Sequence, residues 1–192
     1  MYLSGGLGSA GNMESGIHRK RASGARQETV VRPARLNDDT RLSAFIIRAW
    51  KEAGPGALGF TGATDEAVGE IASVGFLSKL LKSPNVRVFV AEESSGLIGF
   101  ASVRSASRVE CELSGIVVLQ SFAGRGVGTR LLRKASDAAR KSGFRNMRVK
   151  TEQANERAIG FYKSNGFNET GRLTEKMGRV KVSLLALSKR LR

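Results

Sequence analysis

Three glycines stand at every second position of the segment SFAGRGVGTRLL (121–132): Gly124, Gly126 and Gly128. They follow an apolar run, GIVVL (115–119), and lead into amphipathic helical spacing. Glycine loses more conformational freedom on ordering than any other residue, so a cluster marks a sharp turn or a close approach of main chain to something. Between a strand and a helix such a turn is an anion site. The first amides of the helix lack internal partners, the helix dipole places positive potential there, and missing Cβ atoms let a phosphate come close. The competing reading is a tight turn that only packs strand against helix. Neither of two well-known phosphate motifs fits. The P-loop requires a Lys-Ser/Thr pair after its last glycine, and none follows here. The dinucleotide pattern GxGxxG begins at Gly124 and Gly126, but Gly128 falls one residue early. Glu152, at the end of the next strand, could mimic the ribose-binding acid of that motif, yet the chain beyond it is too short for a second nucleotide-binding half.

The formal net charge of the 192 residues is +15. That balance favours a polyanionic partner: nucleic acid, an anionic membrane or a phosphorylated cofactor. Residues 1–27 are rich in Gly and Ser, lack apolar periodicity and contribute +3, which leaves +12 for the remainder. They read as a flexible arm ahead of a domain spanning 28–192. The run HRKRASGAR (18–26) is either a nucleic-acid contact or a solvated segment. The single cysteine, Cys111, excludes an internal disulfide and suits a reducing cytoplasm. The single histidine, His18, lies in the arm, which removes His-based triads and nearly all zinc schemes. No apolar stretch is long enough to span a membrane, and the first residues do not read as a secretory signal. The expectation is a cytoplasmic protein.

The elements that must position the glycines follow from periodicity. ETVVRPAR (28–35) predicts a short strand. NDDTRLSAFIIRAWKEAG (37–54) predicts a helix capped by Asn37 or Asp38, with Leu42, Phe45, Ile46 and Ala49 inward. After a loop, DEAVGEIASVGFLSKLLKS (65–83) reads as one helix with Val68, Ile71, Leu77 and Leu80 inward. VRVFVAEE and LIGFASVRS form a hairpin about SSG, and VECELSGIVVL is a third extended run. A helix over 127–142 carries Val127, Leu131, Ala135 and Ala138 on its apolar face and ends at Gly143. The strand NMRVKTE, a helix over 155–165 and strands around FNETGRL and RVKVSLLAL complete the order β-α-α-β-β-β-α-β-α-β-β. This is an α/β domain with a mixed central sheet flanked by helices.

ELSGIVVLQSFAGRGVGTRLL followed some two dozen residues later by NERAIGFYKSNGF resembles the GNAT superfamily of acyl-CoA-dependent N-acyltransferases. The resemblance covers roughly 28–190 and is strongest over 112–167. It implies acetyl transfer from acetyl-CoA to a primary amine by direct attack in a ternary complex, with no metal. It further implies that Val117, Val118 and Leu119 offer main-chain groups to the pantetheine arm. Arg125, Gly126, Val127, Gly128, Thr129 and Arg130 match the pyrophosphate cradle, Asn155 a residue near the cofactor, and Tyr162 the tyrosine beside the thioester sulfur. Two positions depart from the family. Ala123 stands where Gln or Arg is usual, and Gln120 where proline is common. Arg125 or Arg130 could compensate for the short side chain of Ala123.

An aliphatic ammonium with a pKa near ~10.4 must lose a proton before it attacks, and the departing thiolate gains from receiving one. Tyr162 is the expected acid. Glu112 is the expected base, acting through water, since period-two alternation puts it on the face of Val118; Glu110 shares that parity as the reserve. Each has a plainer reading: Tyr162 only packs, and Glu112 pairs with an arginine such as Arg104. Cys111 is expected on the opposite face as a buried, inert thiol. Trp50 and Phe45 are expected in the core. The acceptor is a protein α-amine, a lysine or a small amine, held between the first two helices, loop 54–64 and the strand of Glu112. The protein is expected as a monomer or homodimer, with no membrane partner, the arm offering an RNA or ribosome contact. The competing function is a basic RNA- or ribosome-binding module whose glycine loop holds backbone phosphate. Single-strand binders interleave exposed aromatics with cations, and an aromatic content of 6% argues against that reading.

Overall fold

A computed structural model describes residues 28–54, 64–177 and 180–192. The expected arm, 1–27, and most of the expected loop lie outside the described residues. Seven strands form one sheet in the order β1-β2-β3-β4-β5-β7-β6. They are β1 (Val30–Pro33), β2 (Val86–Glu93), β3 (Gly96–Ser105), β4 (Glu110–Val118), β5 (Asn146–Glu152), β6 (Asn168–Met177) and β7 (Val180–Arg190). All neighbours are antiparallel except β4 and β5, joined by the crossover helix α4 (Val127–Lys141). The other helices are α1 (Asp39–Ala53), α2 (Asp65–Ile71), α3 (Val74–Lys82) and α5 (Glu156–Ser164).

The 65–83 segment is two helices rather than one. Ser73 donates its hydroxyl to the Glu70 carbonyl (2.8 Å) and accepts the Phe76 N–H (3.3 Å), so it ends α2 and caps α3. Serine competes with the helical backbone in this way. The break turns Ile71 outward, to 38% exposure, while Val68 and Leu77 stay buried. On α4 the inner face also includes Leu132 and Ala139.

Consecutive residues of β3 show which helix covers which face. Phe100 meets Phe45 of α1 edge to face (5.8 Å, 84°), whereas a Cβ on Gly99 would come within 3.0 Å of Leu131 of α4. The two helices therefore bury opposite faces, and Phe45 is core as expected. Trp50 donates its indole N–H to Asp65 (2.6 Å) and so ties α1 to α2.

Asp38 occupies the N-cap position of α1 but does not cap it. Its carboxylate, buried with Asp38 only 2% exposed, accepts from the guanidinium of Arg32 (2.6 and 3.0 Å), the backbone N–H of Arg35 (2.7 Å) and Arg41 (3.1 Å). Glu92 accepts from the same two arginines, which joins β1, β2 and the start of α1. Hydrogen bonding from Arg32 holds the Asp38 carboxyl down to about 2, against an ordinary 3.8. A depressed carboxyl pKa contributes stability that is present above pH ~4 and lost as the pH falls towards ~2. Asp38→Ala leaves Arg32 and Arg41 with Glu92 as their shared carboxylate and the Arg35 N–H without its acceptor, and should cost about 1–3 kcal/mol in urea denaturation. Its midpoint should also respond less to acid between those pH values than that of the native chain.

Candidate active site

The pairing of β4 with β5 is short, running only from Glu110 opposite Asn146 to Glu112 opposite Arg148. Beyond that point β4 stays with β3 as far as Val118, and β5 stays with β7 as far as Glu152. The sheet therefore opens into a wedge. A cavity of about 860 Å³ fills it, lined by β4 from Leu113 to Val118, Val149–Thr151 of β5, the turn after β4, the first turn of α4 and one face of α5. That volume suits a ligand of cofactor size.

The three glycines have different jobs. Gly124 and Gly126 hold φ +75, the left-handed region that glycine enters without strain, and a Cβ on either would meet nothing. Gly126 is the N-cap of α4, so the chain reverses there and presents the first free amides to the cavity. The first intrahelical bond runs from Arg130 N–H to the Gly126 carbonyl (3.0 Å). Gly128 is helical, and its missing Cβ makes room for Phe161 of α5, which would stand 3.3 Å away. The turn is thus both an anion cradle and a packing joint. A fifteen-residue helix aimed at the cavity supplies positive potential there.

On α5, Asn155, Arg157, Ala158, Phe161 and Tyr162 face the cavity. Asn155 accepts the Ala158 N–H (3.0 Å) as the helix cap. Tyr162 is packed between Phe161 and Phe167 (centroids 5.4 and 5.6 Å). Among the described residues its hydroxyl has no hydrogen-bond partner. Burial pushes its pKa up to about 12, so the phenol remains protonated across the neutral range.

Of the residues singled out in the sequence, Val117, Val118, Gly126, Val127, Gly128, Thr129, Asn155 and Tyr162 line the cavity. Leu119, Arg125, Arg130 and Glu112 are not part of its lining. Leu119 is fully buried behind the turn. Arg125 lies over the Phe122 ring (4.8 Å), and Arg130 donates to the Thr29 carbonyl.

Glu112 does not share the face of Val118, contrary to what the alternation predicts. Ser102 pairs with Gly115 and Val103 with Leu113, which leaves Ser114 as an extra, bulged residue. The bulge reverses the period-two parity, so Glu112 shares the face of Val117 and not of Val118. Its carboxylate accepts from Arg104 (2.8 Å) and Arg148 (3.1 Å), and Glu110 is also bonded to Arg148 (3.2 Å). Cys111 points to the other face, fully buried, its thiol pushed up to about 11 by desolvation.

Arg157 and Glu52 are among the cavity residues that escaped the sequence reading. Arg157 donates to the Gln120 side-chain carbonyl (3.0 Å), spanning the cavity mouth from α5 to the turn after β4. Its i, i+4 spacing with Phe161 was a usable signal. Glu52, at the end of α1, is the only carboxylate among the described residues that lines the cavity. It accepts from Arg48 (2.9 Å) and from the N–H and hydroxyl of Ser121 (3.4 and 3.3 Å). Although desolvation opposes it, hydrogen bonding from Ser121 and Arg48 lowers its pKa, so it is anionic at neutral pH. No local spacing reveals it, because α1 lies far from the turn in sequence. No group of three or more metal-ligating side chains is present among the described residues. No helix among them is long and apolar enough to cross a membrane.

The sequence model of the Acetyltransferase (GNAT) family matches residues 42–167, and the chain belongs to that family. Among curated relatives, the N-alpha-acetyltransferase RimI of Mycobacterium tuberculosis is 35% identical over 94 residues, covering 47% of this chain and 58% of that protein. The chain thus matches less than two thirds of that relative's length. Among solved structures, the ribosomal-protein-alanine N-acetyltransferase of Brucella melitensis is 26% identical with a TM-score of 0.66, covering 84% of this chain and 99% of its own. The PaiA N-acetyltransferase of Thermoplasma acidophilum, solved with coenzyme A, shares the fold at 20% identity and a TM-score of 0.68, covering 85% and 99%.

Proposed function

We propose that this protein transfers an acetyl group from acetyl-CoA to the α-amine of a protein, with a ribosomal-protein N-terminus as the acceptor class. The observation that carries the reading is the wedge between β4 and β5, with bare helix amides at one end and the Tyr162 hydroxyl in its wall. That the mycobacterial relative is an N-alpha-acetyltransferase and the Brucella one a ribosomal-protein-alanine N-acetyltransferase supports the acceptor class. The amides of Val127, Gly128 and Thr129 hold the pyrophosphate. The main chain of Val117 and Val118 meets the pantetheine arm. Arg157, steadied by Gln120, supplies the positive charge that Ala123 does not. When bound, acetyl-CoA supplies the activated acyl group. Tyr162 donates its hydroxyl proton towards the sulfur as the thioester breaks. The reaction runs in the cytoplasm, in a ternary complex.

With Glu112 held by two arginines off the cavity, Glu52 takes the base role, drawing the amine's proton through water. Glu52→Gln should raise the KM for the amine and shift the rising limb of the kcat/KM profile towards the amine's own pKa, with the affinity for coenzyme A kept. An unchanged pH profile would return the step to bulk solvent. The reading as a whole is tested by offering acetyl-CoA with N-terminal peptides of ribosomal proteins, lysine peptides and small amines, and following free thiol. Preference for the first set supports it; transfer to small amines alone refutes the acceptor class.

A further inference from the structure

The wedge lies at one end of the sheet, and the opposite end carries an excess of positive charge. β4 and β5 start there, β3 and β7 end there, and α4 runs from the glycine turn towards it. Three backbone bonds knit the segments of this pole together: Ser105 N–H to the Asn85 carbonyl (2.9 Å), Arg145 N–H to Val109 (2.8 Å) and Leu191 N–H to Arg145 (2.7 Å). On them stand Arg87 at the start of β2, Arg108 in the turn before β4, Arg140 and Lys141 in the last turn of α4, Arg145 before β5 and Arg190 at the end of β7. All six are exposed, and among the described residues none has a salt-bridge partner. Arg87 shares a small crevice with Ala139 and Phe144, which joins it to the cations at the end of α4, while Arg190, paired with Asn146, stands at the same end on the other face of the sheet.

Nearby acids do not neutralise it. Glu110 is bonded to Arg148. Asp137, one turn earlier on α4, acts on Lys189, whose ammonium is otherwise disfavoured by burial. Favourable contact with the helix dipole accounts for Arg140 and Lys141 but not for the four cations outside the helix. A surface of six unpaired cations repels itself until a polyanion covers it.

The chemistry of that polyanion can be narrowed. Stable insertion into a membrane surface takes apolar side chains besides charge. Among the described residues, Val109 is the only exposed large hydrophobic side chain on this pole. Single-stranded nucleic acid needs stacking aromatics. Phe144, the aromatic at this end, is half-buried against the core. What remains is contact with the phosphate backbone of a duplex, which is independent of sequence. We infer that this basic pole docks the protein on double-stranded RNA, with the catalytic wedge facing away from it. The choice of RNA rests on the proposed ribosomal-protein acceptor. Docking of this kind would hold the wedge towards protein tails that emerge beside structured RNA.

The test uses the full chain, a fluorescent RNA duplex of about 20 base pairs and anisotropy titrations over a range of salt. The native chain should bind, with log K falling linearly in log salt. The variant R108Q/R140Q/K141Q should lose at least tenfold in affinity at ~0.1 M salt, and its salt slope should shrink by about 2–3. R87Q/R190Q should give a smaller loss in the same direction. All should keep the native circular dichroism spectrum and calorimetric affinity for coenzyme A, since none of these residues lines the cavity. Unchanged RNA binding in the pole variants overturns the inference. So does loss confined to a full-length R19Q/K20Q/R21Q variant, equal binding to DNA of the same sequence, or binding only to phosphatidylserine vesicles. These readouts need no acceptor. RNA binding without acetylation of ribosomal-protein peptides defeats the proposed substrate alone, and acetylation without RNA binding defeats the docking alone.

Discussion

Tyr162→Phe should lower kcat by ~10²–10⁴ while leaving the affinity for acetyl-CoA nearly unchanged. The substitution removes one hydroxyl and keeps a ring that is wedged between Phe161 and Phe167, so the wall of the cavity persists. Burial has two consequences for the phenol. With its pKa pushed up to about 12, it carries its proton at every pH at which the enzyme is handled, so it always presents a donor to the sulfur. It is also a weaker acid than an exposed tyrosine. Its contribution is therefore greatest as negative charge builds on sulfur in the transition state, where a donor in a water-poor pocket is worth most. Because deprotonation lies at about 12, this group should produce no falling limb in kcat below pH ~10. The check is steady-state kinetics on a variant shown to be folded. A loss of less than about threefold, ~0.65 kcal/mol in the barrier, would mean that this hydroxyl is not the acid.

The second large effect is expected at Gly128. Gly128→Val places a Cβ 3.3 Å from the Phe161 ring and 3.8 Å from a Val118 methyl, and its branches add bulk beside the free amides of α4. Phe161 then has to move into the cavity that it lines. Affinity for coenzyme A should fall at least tenfold, ~1.4 kcal/mol, by calorimetry. Shortening the displaced ring, in Gly128→Val with Phe161→Leu, should restore part of the loss. Arg157→Ala should weaken binding through charge instead, with an effect that diminishes as salt rises. A folded Gly128→Val protein with native affinity would place the pyrophosphate somewhere other than this turn. Gly126→Ala is a different experiment. It meets no neighbour but must hold φ +75, so its cost of ~1–2 kcal/mol falls on the stability of the turn.

Local signals were sufficient wherever the determining contacts are local. The spacing of Gly124, Gly126 and Gly128, the inward stripe of α4 and the helical run from Asn155 to Tyr162 are short-range patterns. The structure puts most of them around a single cavity. The order of strands and helices was legible for the same reason, apart from the helix broken at Ser73, where a side-chain hydroxyl outcompeted the apolar periodicity.

Tertiary structure decided what depends on residues far apart in the chain. A single bulged residue, Ser114, reversed the parity on which the role of Glu112 rested, and bulges are set by pairing with the neighbouring strand. Arg104 and Arg148 arrive from β3 and β5 to neutralise that carboxylate, while Glu52 arrives from α1 to put a different one beside the cavity. Arg157 and Gln120 lie 37 positions apart and meet only because α5 and the turn after β4 face each other across the wedge. The basic pole has the same origin. Its cations are scattered from Arg87 to Arg190, and they gather at one pole because alternating strands begin and end at the same end of the sheet. Composition determined that the protein carries excess positive charge. Where that charge collects follows from the topology, since side chains remote in sequence become neighbours only when the strands between them are paired.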